Sequence, residues 1–218
     1  MKRILLVLLA LMLVCSLAAC KEEKSDTKND TTTNNTLPYY TQKLDAASEI
    51  TNFVQFEMTN GATFVVELYP QYAPETVANF QSLVANGFYN GLTFHRLYEG
   101  FMIQGGCPNG NGTGSTDPIV GEFSSNGFTQ NTLKHERGVI SMARRNDPNS
   151  GSCQFFIMHD KNAGLDGKYA AFGKVVAGMD TIDYLATLPV TRQDLSSEIS
   201  KPVEAPVMKS VTFVNYTA

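Results

Sequence analysis

The chain has little of what a metal centre or a nucleic-acid surface requires. It carries three histidines, His95, His135 and His159, and the residues around them show no metal-ligand spacing. Lys plus Arg number 17 against 21 Asp plus Glu, a net charge of −4, so there is no basic footprint for nucleic acid. The one apolar run of note, residues 4–14, is too short to span a bilayer as an ordinary helix. No internal repeat is visible, tryptophan is absent, and cysteine occurs four times, at Cys15, Cys20, Cys107 and Cys153. These absences leave one sizeable core built from the 43% of residues that are hydrophobic.

What is present begins with an export pattern: Lys2 and Arg3, then the apolar run. Leu17-Ala18-Ala19-Cys20 resembles a bacterial lipobox, in which the signal is cut before the cysteine and the thiol carries a diacylglycerol. The plainer alternative is an ordinary secretory signal with small residues before its cleavage site; a cysteine directly after the small pair favours the lipobox. Residues 21–35 are polar and charged with almost nothing to bury, which predicts a disordered tether. Residues 37–47 read either as more tether or as a segment lying against the domain. The expected division is a signal over 1–19, the lipidated Cys20 and a flexible tether over 20–47, and a folded domain over 48–218. Cys107 and Cys153 are the thiols left to that domain, and they pair only if their Cα atoms lie within about 7 Å.

Within the domain, short strands dominate. Val54, Phe56 and Met58 alternate on one face, Asn60-Gly61 is a strong hairpin signal, and Phe64, Val66 and Leu68 alternate again. Pro74 and Glu75 suit a helix first turn, Val77, Phe80 and Val84 follow at helical spacing, and Gly87 suits the stop. Residues 139–143, 154–158 and 171–176 read as buried strands. Residues 180–187 predict a second helix with Ile182 and Leu185 inward, and residues 207–216 a last alternating strand. Residues 107–118, rich in Gly, Asn, Thr and Ser, predict a long loop. The class is therefore mainly β, a closed antiparallel barrel capped by two α-helices.

Residues 94–106, FHRLYEGFMIQGG, place an arginine, two large apolar side chains and a glutamine within a few positions. Glu99-Gly100 divides two strand-prone runs, Met102 and Gln104 share a face, and Gly105-Gly106 lets backbone pass close by. With SMARRNDPNSGSCQFFI over 141–157 and LDGKYAAFGKV over 165–175, this stretch resembles the cyclophilin family of peptidyl-prolyl cis-trans isomerases, in its bacterial type. The resemblance runs in family order from about Ser48 to Tyr216. It implies an eight-stranded barrel with a helix at each open end and a substrate groove on its outer surface.

The chemistry implied needs no nucleophile, metal or cofactor. Rotating a peptide bond costs about 18–20 kcal/mol because resonance ties nitrogen to carbonyl, and X-Pro bonds turn unaided only in tens to hundreds of seconds. By the resemblance, Arg96 is the guanidinium that stabilises the twisted amide, and Phe101, Met102, Phe156 and Leu165 form the proline pocket. Gln104 orients Arg96 and meets the substrate backbone. Ala143, Arg144, Gln154 and Tyr169 line the groove. Taken singly, each has a plainer account: Phe101, Met102 and Phe156 as core, Arg96 as half of a surface ion pair, Gln154 as a satisfied strand amide. Their joint occurrence favours function.

Three positions depart from the family: Arg144 stands where many members have Asn, Gly164 where they have Trp, and Tyr169 where they have His. Backbone does most of the work at the first, and Tyr169 keeps an aromatic wall with a polar tip. Gly164 removes a wall and bears on inhibitor binding more than on catalysis. The expected protein is a monomeric, surface-anchored isomerase of proline-containing segments in exported, partly folded proteins. It is held to the membrane by lipid and binds no nucleic acid. Two other classes compete: a module that binds Pro-containing segments with little turnover, and a structural lipoprotein that reuses the fold.

Overall fold

The computed structural model describes residues 37–194 and 196–217. The expected signal, Cys20 and the part of the expected tether up to residue 36 lie outside the described residues.

Strands β1 (Phe53–Met58) and β2 (Thr63–Leu68) form the opening hairpin, with Gly61 at φ +86° and the Ala62 N–H donating to Asn60 Oδ1 at 3.1 Å. Helix α1 (Pro74–Ala85) buries Val77, Phe80 and Val84 as their spacing predicts. Strands β3 (Phe94–Tyr98) and β4 (Met102–Gly105) follow, then β5 (Val139–Met142), β6 (Phe155–Met158) and β7 (Ala171–Ala177). Helix α2 (Met179–Ala186) buries Ile182 and Leu185, and two short strands, β8 (Val190–Arg192) and β9 (Ile199–Pro202), precede β10 (Met208–Phe213).

Eight strands form one curled antiparallel sheet in the order β10-β1-β2-β7-β5-β6-β4-β3, while β8 and β9 pair apart from it. Its edge strands approach through an isolated bridge, Thr93 to Val207, flanked by the Gly91 N–H on Met208 O at 2.7 Å and the Phe94 N–H on Pro206 O at 3.0 Å. The sequence predicts no strand between α2 and the last one; the β8–β9 hairpin is a finding of the structure.

Strand alternation sorts apolar residues onto two faces. Ile103, Ile140, Phe155, Ile157 and Phe172 join the main core with Phe56, Phe64 and Phe80. Their alternates Met102, Val139, Phe156, Met158 and Ala171 form a second cluster on the opposite face, against Phe101, Leu133, Leu165 and Tyr169. Strands β5 and β6 are buried throughout because both faces are covered.

Residues 37–47, for which the sequence left two readings open, lie against the sheet. The Thr63 N–H donates to Tyr40 O at 2.7 Å, Gln55 Nε2 to Gln42 O at 2.8 Å, and the Ala47 N–H to Phe213 O at 2.8 Å. Cys107 and Cys153 are both buried and free.

Candidate active site

The site starts from one cross-strand row. Pairing places Arg96 of β3 opposite Gln104 of β4, Gln104 opposite Phe156 of β6, and Phe156 opposite Ser141 of β5. Directly opposed residues share a face with Cβ atoms about 5 Å apart, so the β3–β4 hairpin and the distant strand β6 deliver the guanidinium, the amide and the ring side by side. The close fit at the end of β4 depends on glycine: Gly106 has φ +80°, and a Cβ there would lie 2.6 Å from Cys153 O.

A pocket of about 110 Å³ opens over this row, lined by Arg96, Phe101, Met102, Gln104, Ala143, Arg144, Phe156, Leu165 and Tyr169. Gln154 lies in an adjoining hollow that shares Gln104, Ala143 and Arg144. Every domain residue singled out in the sequence as lining the site is thus brought to one groove. A larger hollow of about 460 Å³ beside the C-terminal end of α2 contains none of them, and Glu204 is its one charged lining residue among those described.

The walls are aromatic and the floor is polar. Phe156 meets Tyr169 edge to face at 5.6 Å, and Arg96 lies over Phe101 with its central carbon 5.9 Å from the ring centre. Arg144 is packed between Tyr169 and Phe123, 4.6 and 5.2 Å from the two ring centres. It donates from Nε and Nη2 to Lys168 O at 3.0 and 2.9 Å. It therefore supports the aromatic wall and bonds to the backbone of the next loop. The Ala143 N–H is used by Gln154 O at 2.9 Å, which ties the end of β5 to the start of β6.

The floor is a continuous hydrogen-bonded chain. Gln154 Nε2 donates to Gly112 O and Gly114 O at 2.9 and 2.7 Å, and its Oε1 accepts from Gln104 Nε2 at 3.0 Å. This fixes the Gln104 amide so that its Oε1 faces Arg96 and accepts from Nη1 at 3.3 Å. On its other side Arg96 donates from Nε and Nη2 to the two oxygens of Glu198, both at 2.6 Å. Glu198 was not singled out in the sequence: it lies 102 positions away, in a hairpin without apolar alternation. The Arg96 hydrogen bonds, then burial working against them, then Ser200, leave its carboxyl below the usual range.

The histidines lie around the site. Burial, and then the Arg96 charge, push His95 down to about 4, so His95 adds no positive charge beside Arg96 at neutral pH. His135 stacks under Phe156 at 6.0 Å and is bracketed by Asp166 Oδ1 and Ser141 Oγ, each 3.1 Å from a ring nitrogen. Burial lowers its pKa despite the Asp166 partner, and Ser141 is itself fully buried, so this trio supports Phe156 from below. His159 accepts the Gly100 N–H at 2.8 Å and holds the turn that carries Phe101.

An arginine beside a pocket walled by Phe101, Met102, Phe156 and Leu165, on the outer face of a curled antiparallel sheet with two helices, is the arrangement that the sequence resemblance implies. The model of the family "Cyclophilin type peptidyl-prolyl cis-trans isomerase/CLD" matches residues 53–212, and the chain belongs to that family. Peptidyl-prolyl cis-trans isomerase B of Bacillus subtilis is 46% identical over 126 residues, covering 57% of this chain and 84% of the relative. A peptidyl-prolyl cis-trans isomerase of Acinetobacter baylyi is 38% identical over 165 residues, covering 72% and 85%. Among solved structures, a Cryptosporidium parvum cyclophilin type isomerase crystallised in the presence of the dipeptide Ala-Pro is 30% identical with a TM-score of 0.64, covering 75% of this chain and 99% of that one. The chain is accordingly a cyclophilin-type peptidyl-prolyl cis-trans isomerase.

Proposed function

We propose that this isomerase turns X-Pro bonds in exported, partly folded proteins, with Arg96 as the group that stabilises the twisted amide. At the top of the barrier the proline nitrogen is pyramidal and its lone pair is localised. A guanidinium N–H aimed at it is worth more there than in the planar ground state. Arginine has five N–H donors. Glu198 and Gln104 take three in this chain, which leaves one on each terminal nitrogen without a partner among the described residues. Phe101, Met102, Phe156 and Leu165 hold the proline ring, while Gln104, Gln154 and the backbone at Ala143 and Arg144 hold the flanking peptide. A millionfold acceleration needs about 8 kcal/mol in total, which this fixed donor and the bound proline ring share.

The observation that carries the assignment is the common row of Arg96, Gln104 and Phe156 beneath one pocket. We read the sheet as closing into a barrel through the Thr93–Val207 bridge, which supports the outer-face position of the groove. The lipobox-like Leu17-Ala18-Ala19-Cys20 and the polar stretch after it support a lipid-anchored extracytoplasmic enzyme of the bacterial type. Lipid chains contribute about 0.8 kcal/mol per buried methylene, so two or three hold where one would not.

Replacing Arg96 tests the mechanism. Arg96→Ala is expected to lose most turnover of a short Ala-Pro peptide, at least about a hundredfold, with the fold retained; Arg96→Lys recovers little, because a lysine lacks the planar fork. NMR exchange measures both. Wild-type turnover in Arg96→Ala would overturn the assignment, and tight peptide binding with negligible turnover in the unaltered protein would identify a binding module instead.

A further inference from the structure

The β8–β9 hairpin brings Glu198 to Arg96 and, with Asp194, lines a hollow of about 390 Å³ on that side of the arginine. Glu198 precedes β9, and its backbone is held by the Gln193 N–H on its carbonyl at 2.8 Å and by its own N–H on Ser196 Oγ at 3.2 Å. Its carboxylate meets the Nε and Nη2 edge of Arg96 with two parallel bonds of 2.6 Å. Ser200, which is fully buried, donates to Glu198 Oε1, and the same hydroxyl accepts from Gln193 Nε2 at 3.0 Å. The guanidinium is thus the middle of a polar chain anchored at one end in the hairpin and at the other in the carbonyls of Gly112 and Gly114.

An isolated, half-exposed ion pair does little for stability. This one differs in geometry: it is bidentate, it belongs to a network, and the group it holds is the one assigned to the reaction. A free arginine samples many rotamers. A clamped one presents its terminal N–H edge in a single plane and needs no reorganisation when the amide twists.

We propose that Glu198 is a positioning residue for isomerisation: it fixes the plane of Arg96 toward the proline pocket, which makes the β8–β9 hairpin part of the catalytic apparatus. The proposal rests on the assignment of Arg96 above. Clamping also offsets part of the arginine charge, so two effects of opposite sign compete. Orientation dominates here because catalysis depends on where the donor points, and a misplacement of about 1 Å costs up to a hundredfold.

The test is a double-mutant cycle on the full chain, with a short Ala-Pro peptide followed by NMR exchange at saturating and at low peptide, affinity by titration, and thermal unfolding of each variant. Glu198→Ala is expected to lower turnover at saturating peptide about tenfold while affinity stays within about twofold. Glu198→Gln keeps an acceptor for Nε and should stand about threefold below wild type. Adding Glu198→Ala to Arg96→Ala should cost nothing more, since Glu198 acts through Arg96. Should Glu198→Ala disorder the hairpin, seen in the amide signals of residues 190–202, Ser200→Ala replaces it. That variant keeps the carboxylate but removes its support, and the same affinity and turnover criteria apply. Turnover of Glu198→Ala at or above wild type overturns the proposal and makes Glu198 a brake. A loss carried wholly by affinity, or one that persists without Arg96, also overturns it. If Arg96→Ala alone is fully active, the Arg96 assignment has failed, whatever Glu198 does.

Discussion

Gly164 stands where the cyclophilin resemblance leads one to expect a tryptophan, and its carbonyl accepts from Lys168 Nζ at 2.9 Å. Its N–H donates to Asn162 Oδ1 at 2.9 Å. Apart from its chain neighbours, the described atom within 4 Å of a Cβ built at Gly164 is that same oxygen, at 2.9 Å, so a larger residue must shift the Asn162 cap. Arg144 supports Tyr169 and Phe123 rather than this edge. The macrocycle cyclosporin, an inhibitor of many cyclophilins, packs on that wall. A buried Trp covers about 150–250 Å², and half of that at about 25 cal/mol per Å² is about 2–3 kcal/mol. Inhibition of this chain should therefore be weaker by up to about two orders of magnitude, with peptide turnover preserved. Gly164→Trp should restore part of it. Titrating cyclosporin against both proteins checks this; equal, tight inhibition would mean that the wall comes from elsewhere. Arg96, Phe101, Met102 and Gln104 were legible in the sequence because they fall within nine residues of one strand-turn-strand run. The partners of Arg144 were not, because Phe123 and Tyr169 reach it from separate loops.

Elements show the same division. Helix α1 was readable from Pro74, the spacing of Val77, Phe80 and Val84, and Gly87 at its end. Its cap was not: Ala73 offers no side-chain bond, and the buried Glu122 accepts instead from the Glu75 N–H, the Thr76 N–H and Thr76 Oγ at 2.9, 2.7 and 2.7 Å. A carboxylate there also suits the positive end of the helix dipole. The β8–β9 hairpin was missed because its strands have three and four residues, carry a Pro at position 202, and lack an apolar face. Between β1 and β10, Glu57 is pulled from an ordinary 4.5 to about 2 by hydrogen bonds from Lys209 and then Lys43, against burial. A lowered carboxyl stabilises the fold above its unfolded pKa and loses that contribution as pH falls through the folded one, here from about 4.5 toward about 2. Because both lysines are well exposed, the contribution is put at about 1–2 kcal/mol. Urea unfolding of wild type should thus weaken more steeply across that window than that of Glu57→Gln; parallel pH profiles would remove Glu57 from the acid limb.

On the scale of the whole molecule, the proposed anchor at Cys20 and the groove residues 96–169 occupy different stretches of the sequence. Cys20→Ala is expected to release the protein from the membrane fraction or stall its processing, while the activity of whatever domain is recovered stays unchanged. Mass spectrometry of the mature N-terminus checks it, and an unmodified terminus or cleavage elsewhere sinks the lipid assignment. By itself the sequence determined the hairpin of β1 and β2, both helices, the mainly β class and the family, because each is written in local periodicity or in contiguous motifs. It also marked which side chains line the groove. It did not determine which strand lies beside which. Only the tertiary structure aligned Arg96, Gln104 and Phe156 in one row, since register between strands depends on burying two faces at once. Only the tertiary structure, too, brought Glu198 across 102 positions to Arg96, because a polar contact between distant segments leaves no period in the sequence for a reader to find.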